Sequence, residues 1–317
     1  MSEQPLHPAV DRIVRDRGGD DVLTLLGDSL NGADLTALLL EVMRRRAKAV
    51  SPAHVLRAYE RDRFVRPAAV DARRLLEIEL LALTAVTPPF VAVATAPLVP
   101  LGTHAVADVH QNRVVTTVRR SEVAADPTNS LALEAAIRRR RLLTADPRSS
   151  TVVHLASTDR VVRAQRFDGP RSFAHFTLLG LVSAGRDTGD HSFEFEGMRE
   201  HLRALTRVTH DLGVPRVTIG LTDFGGRHED VLHDLMTSLA SHDVDVTIRP
   251  DRTAARGYYP GLCFKLTVVY DDEEIEVGDG GIVTWTQSLV GSHKERLMTS
   301  GLSLERLALI QMDERPD

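Results

Sequence analysis

The sequence predicts an α+β protein: a small helical module at the N-terminus, then a large domain in which helices flank a sheet that pairs antiparallel in its C-terminal third. Apolar residues recur at helical spacing at Leu35, Leu38, Leu39, Val42 and Met43, and again at Leu75, Leu76, Ile78, Leu80 and Leu83. Short β-like runs come later in the chain, and two of them, 262–270 and 274–277, flank Asp271-Asp272 as in a hairpin. With 317 residues, 43% of them hydrophobic and 26% charged, the chain can bury one large core beside a smaller appendage. Its net charge of -5 gives no sign of wholesale nucleic-acid binding.

Residues 1–62 form the accessory module, with Asn31 or Asp34 as the cap of its clearest helix. The basic run Arg44-Arg45-Arg46-Ala47-Lys48 either contacts phosphate or complements the dipole of that helix's last turn. A helix over 67–83 is stopped by Pro88-Pro89, and 90–95 is β-like. Pro97 and Pro100 bar the later part of this apolar stretch from the middle of a regular ladder. Asp126-Pro127-Thr128 suits the entrance of a helix over 129–143. Strands are expected at 150–155, 161–165, 173–182, 217–221 and 244–248. Helices are expected around Met198, Leu202, Leu205 and Val208, and over 228–241.

Several classes drop out. Cys263 stands alone, so neither a disulfide framework nor a cysteine zinc site forms within one chain, and a reducing cytoplasm is the expected setting. No HExxH spacing occurs among the histidines, which argues against zinc. No apolar stretch approaches the roughly twenty residues of a membrane span. GxxxxGK[ST] is absent, and Gly220 to Gly226 lacks the GxGxxG order.

One constellation points to nucleotide chemistry. Gly301-Leu302-Ser303-Leu304-Glu305-Arg306-Leu307 reads as a glycine turn leading into an apolar helix that carries one inward arginine. Together with Arg163 in Val161-Val162-Arg163-Ala164-Gln165, it supplies two cations able to grip a nucleotide from both ends. The order of a long helix and proline-containing strand, a strand bearing Arg163 before a loop and Ala174-His175-Phe176, and a terminal glycine-arginine helix resembles the three motifs of class II aminoacyl-tRNA synthetases. Within them it is most similar to the histidyl-tRNA synthetase family and the ATP phosphoribosyltransferase regulatory subunit, over residues 65–312.

The resemblance implies a mixed, mainly antiparallel sheet in residues 63–317, with ATP and Mg²⁺ as cofactors. It places Arg163 on the α-phosphate and Gln165, where the family has glutamate, on the adenine amino group. Arg171 or His175 would reach the outer phosphates and Phe176 would stack under adenine, although Phe176 also suits a strand core. Gly301, Ser303 and Arg306 match motif 3, with Ser303 in place of its second glycine; Arg306 with Glu305 also reads as an ordinary surface pair. Arg163 and Arg306 are thus the expected catalytic residues.

Tyr258-Tyr259-Pro260-Gly261 resembles the strand that lines the family's amino-acid pocket, with Arg256 or Arg252 as the candidates for the arginine preceding it. Asp126 and Thr128 match the element that holds the substrate ammonium, and helix capping explains the same residues. Glu276 and Asp279 stand where carboxylates would hold Mg²⁺, and as bare sequence they are turn residues. Apolar residues such as Leu178 and Val182 occupy positions where the family's glutamine and glutamate read the substrate amine and imidazole, so histidine is not the expected substrate.

The implied activity is ATP-dependent activation of an amino acid or related carboxylate, with transfer to tRNA or a carrier acceptor. A noncatalytic paralog acting as a ligand sensor or regulatory subunit is the alternative. The chain ends shortly after motif 3, which leaves no room for the family's anticodon-binding domain, and 67–100 matches its dimer motif, so a homodimer is expected. An RNA-binding module using 44–48 and 138–141 is a third reading.

Overall fold

The computed structural model describes residues 8–17, 19–165, 173–214, 216–270 and 273–313. The chain divides into two compact units, Met1–Arg61 with Thr116–Ser121, and Asp62–Val115 with Glu122–Asp317.

The smaller unit is helical, with α-helices at Pro8–Arg17, Gly19–Thr24, Gly32–Lys48 and Pro52–Arg61. Asn31, rather than Asp34, starts the longest: its side-chain oxygen accepts from the Ala33 and Asp34 N–H groups, both at 3.0 Å. Arg44 and Arg45 fold back onto Glu41, so part of the basic run is engaged on its own helix.

In the larger unit, eight strands of the described residues form one sheet. In chain order they are β1 (Val91–Ala92), β2 (Val153–Val162), β3 (His175–Arg186), β4 (Val217–Asp223), β5 (Val244–Ile248), β6 (Leu262–Tyr270), β7 (Glu273–Val283) and β8 (Glu295–Ser303). Their order across the sheet is β1-β2-β3-β8-β7-β6-β4-β5. Only the two outermost pairs, β1/β2 and β4/β5, are parallel. The four strands β3, β8, β7 and β6 run antiparallel at the centre.

Five helices frame this sheet: α1 (Ala72–Val86), α2 (Pro127–Ala145), α3 (Ser192–Asp211), α4 (Glu229–Leu239) and α5 (Leu304–Asp313). One face is closed by α1, α3, α4 and α5, which bury Ile78, Leu202, Leu205, Leu235 and Leu307 against Leu181, Ile219, Phe264 and Met298. On the other face α2 packs Leu131, Ala132 and Ala135 onto Leu155, Val182, Ala184 and Leu297. Strand side chains alternate between faces, so each strand supplies both layers. The single helix α2 leaves part of its face of the sheet uncovered, and two cavities open there.

The structure departs from the sequence reading in several places, three of which concern the architecture. The stretches 150–155 and 161–165 both contribute to one strand, β2, which spans Val153–Val162. Its polar middle stays in the ladder because Asp159 accepts from the Thr95 and Ser157 hydroxyls at 2.7 Å. Gly301 is not in a turn: it sits within β8, paired to Gly180 on one side and Asp279 on the other, and β8 runs directly into α5. The arginines at 138–141 do not form one basic face, because successive helical residues point about 100° apart. Arg138 bonds Glu134, and Arg139 is fully buried, forking onto Glu295 at 2.7 and 2.9 Å. Among the described residues no helix is long and apolar enough to cross a membrane.

Candidate functional site: two cavities on one sheet face

Two adjoining cavities, of about 200 and 720 Å³, share Asp126, Arg163, Asp279 and Gly301 in their walls. The smaller is lined by Phe176, Glu276, Ser303 and Arg306 as well, and the larger by Tyr258, Tyr259, Thr128 and Arg256.

Arg163 follows the last residue of β2, and its N–H donates to the Ala174 carbonyl at 2.8 Å, which ties it to the start of β3. Its guanidinium donates to Asp126 at 2.9 Å and to the Ala125 carbonyl at 3.0 Å, and lies 5.1 Å from the centroid of the Phe176 ring. Asp126 is held in turn as the N-cap of α2, accepting from the Thr128 N–H at 2.9 Å and its hydroxyl at 2.7 Å. This end of α2 reaches the sheet only because residue 180 is glycine: a Cβ there would fall 2.6 Å from Pro127 Cβ. The residues matched separately to phosphate and to ammonium are thus ion-paired with each other.

The opposite wall depends on a β-bulge. Register between β6 and β7 slips by one residue between Leu266 and Thr267, so Lys265 faces Asp279 while Thr267 faces Glu276. Residues three apart in a regular strand would point to opposite faces; the slip brings Glu276 and Asp279 onto the same cavity wall. Lys265 bonds Glu276, and Arg306 donates to the Glu276 carbonyl. Burial, with Glu276 and Asp126 nearby, pushes the Asp279 carboxyl up to about 6, against the pull of Arg163 and Arg252. The Tyr259 hydroxyl stands 3.4 Å from Asp279, and burial raises both the Tyr258 and Tyr259 phenols well above their ordinary value.

Solved structures share this architecture. Over 80% of this chain and 97% of the other, a histidine–tRNA ligase subunit from Alicyclobacillus acidocaldarius superposes with a TM-score of 0.58 at 14% identity. Histidyl-tRNA synthetase of S. aureus gives 0.56 at 14% identity over 76% of this chain, which spans 66% of that enzyme's length. An ATP phosphoribosyltransferase regulatory subunit/histidyl-tRNA synthetase from Bacillus halodurans gives 0.54 at 11%, over 77% and 82%. The fold is that of a class II synthetase core. No protein-family model matches the sequence, and no curated protein does.

Within this class II synthetase-like core the residues named from sequence fall unevenly. Phe176, Gly301, Ser303 and Arg306 line the smaller cavity together with Arg163. Glu305 and Arg306 do not pair as surface charges. Glu305 is 1% exposed and accepts from the Thr177 N–H at 3.0 Å and from Arg160.

His175 points the other way. It neighbours Phe176 in β3, and strand alternation sends it to the opposite face, where its ring accepts from Arg160 at 3.0 Å and meets the Arg66 carbonyl at 2.7 Å. Gln165 lines the larger cavity rather than the one that holds Phe176. Arg171 lies outside the described residues.

Arg256 lines the larger cavity with its guanidinium 5.3 Å from the Phe224 centroid. Asp108 and Arg113 also line it; they sit in a turn and in the short 3-10 helix Gln111–Arg113, with no periodicity or motif to flag them, and only the folded chain brings them in. Among the described residues no group of three or more His, Cys, Asp or Glu is arranged to hold a metal. The Glu276 and Asp279 pair still suits Mg²⁺, which typically takes one or two carboxylates and completes its shell with phosphate oxygens and water.

Proposed function

We propose that the two cavities bind ATP and an amino acid or related carboxylate, and that the protein joins them as an acyl adenylate before transfer to an acceptor, tRNA or a carrier. The observation that carries this reading is the placement of Arg163 and Arg306 in the walls of one cavity, with Phe176 and Gly301 beside them. Arg163, at the boundary of the two cavities, is positioned for charge developing on an α-phosphorus as a carboxylate oxygen bonds to it and the pyrophosphate oxygen departs. Arg306 serves the outer phosphates and Phe176 the adenine face.

Asp126 offers an acceptor to the substrate ammonium, with Thr128 holding the carboxylate in place. Glu276 and Asp279 would hold Mg²⁺, which supplies charge neutralisation at the phosphates. Proximity and preorganised charge do the chemical work, and no side-chain nucleophile is needed. A homodimer through residues 67–100 fits the exposed apolar residues there, Leu76 at 65%, Leu80 at 68%, Val91 at 52% and Leu98 at 45%. A reducing cytoplasmic setting suits the buried free thiol of Cys263.

The second reading is a noncatalytic sensor or regulatory subunit. The ion pair between Arg163 and Asp126 favours it, because an arginine already neutralised has less charge to offer a phosphate. ATP–pyrophosphate exchange across a panel of amino acids separates the two. The enzyme reading expects exchange with at least one acid and its loss in Arg163→Ala. Saturable ATP binding with no exchange for any acid would select the sensor.

A further inference from the structure

The smaller, helical unit has almost no interior of its own. Among its described residues only Gly19 is buried, while Leu38, Val42 and Met43 on the Gly32–Lys48 helix and Val55, Leu56 and Tyr59 on the Pro52–Arg61 helix are exposed. A unit of roughly sixty residues that buries no apolar side chain gains little to set against the entropy of ordering its helices, and association with another surface is the usual remedy.

One row of the longer helix shows which surface that is. Residues four apart lie on one ridge of an α-helix, and Asp34, Leu38, Val42 and Arg46 follow each other at that spacing. The row reads acid, apolar, apolar, base, and reversed it is its own complement. Neither charge is matched within the described residues: Asp34 accepts from the neutral Asn31 side chain, and the Arg46 guanidinium has no partner. Arg44 and Arg45, by contrast, are held by Glu41.

We infer that this row is a self-association surface whose partner is the same row of a second copy, laid antiparallel. Such i, i+4 ridges packed against each other make the commonest helix crossing, at about −50°. Leu38 of each copy then meets Val42 of the other at the centre, and Asp34 meets Arg46 at both ends. The contact is isologous, so every complementary pair occurs twice. A nucleic acid would use the cations of this helix but would leave Leu38 and Val42 in water and be repelled by Asp34. The surface is separate from residues 67–100, and the inference does not rest on the adenylation reading.

Cross-linking of the full chain over a dilution series tests it. Leu38→Cys treated with a short bis-maleimide should give a covalent dimer. Ala33→Cys, on the far side of the same helix, and the wild type, whose Cys263 is buried, should not. Added to Leu38→Cys, Asp34→Arg or Arg46→Asp should each raise the concentration for half-maximal cross-linking by about tenfold, because two attractions become two repulsions. The swap of both, Asp34→Arg with Arg46→Asp, should return it to within about twofold of the parent. Positions 34 and 46 lie about 18 Å apart along one helix, so the swap restores a contact only between copies. No dimer from Leu38→Cys, equal cross-linking of Ala33→Cys, single reversals without effect, or a swap no better than Arg46→Asp alone would each overturn the assignment. If Leu38→Cys does not fold, Val42→Cys takes its place under the same criteria.

Discussion

Gly301→Ala separates the demands of folding from those of ligand binding. Residue 301 lies within β8, bonded to strands on both sides, and the nearest atom to a Cβ built there is the Leu179 carbonyl oxygen at 3.9 Å, an ordinary contact. Folding therefore has no steric objection to alanine. Replacing a strand glycine removes backbone freedom from the unfolded chain, which stabilises by about 0.5–1 kcal/mol, so the variant should melt no lower than the wild type. The new methyl projects toward both cavities, whose walls include Gly301. If ATP passes against the β8 backbone there, the overlap costs roughly 1–3 kcal/mol, about 5- to 150-fold in Kd. Calorimetric melting and titration with ATP and Mg²⁺ read the two effects in one preparation. Unchanged ATP affinity in a folded variant would refute the placement of the nucleotide, and a lowered melting temperature would refute the open space above residue 301.

Asp126→Asn distinguishes the cap from the ammonium site: asparagine caps as well as aspartate, so the stability lost should be confined to the part-exposed ion pair with Arg163, about 1 kcal/mol or less. The KM for whichever acid supports exchange should rise about tenfold or more, and an unchanged KM would leave Asp126 as a cap alone. A pH dependence arises from His201, which is fully buried with Ser183 and Ser300 hydroxyls on its two ring nitrogens. Burial, aided by neighbouring His154, holds its imidazole well below the ordinary 6.5. Its contribution is therefore fully present above 6.5 and is lost as pH falls toward the folded value, because the unfolded chain takes up the proton first. Urea denaturation should show up to about 2 kcal/mol lost to this group between pH 6.5 and 5, and His201→Gln should flatten that slope; equal slopes would contradict it.

Much of the scaffold was legible in the chain because it rests on local chemistry. The cap at Asn31, the proline entrance to α2 and the alternation in β5 are set by neighbours within a few residues, and each appears where the pattern predicts. Failures of the sequence reading occur where long-range pairing overrides local preference. The stretch 156–160 falls outside the two expected strands, yet it stays in the ladder because Thr95 donates to Asp159 from 64 positions away. Glu276 and Asp279 read as turn residues until β6 and β8 pair with β7 on both edges.

The candidate site divides in the same way. Sequence alone determined which residue types were available: two arginines in an order shared with class II synthetases, an aromatic beside the first, and carboxylates before the second. Tertiary structure decided which of them meet. It paired Arg163 with Asp126, turned His175 to the opposite face of the sheet, and used a one-residue bulge to bring Glu276 and Asp279 onto the same wall. The physical reason is parity: a side chain's face depends on strand register, and register is fixed by partners distant in sequence rather than by the residue's own neighbours.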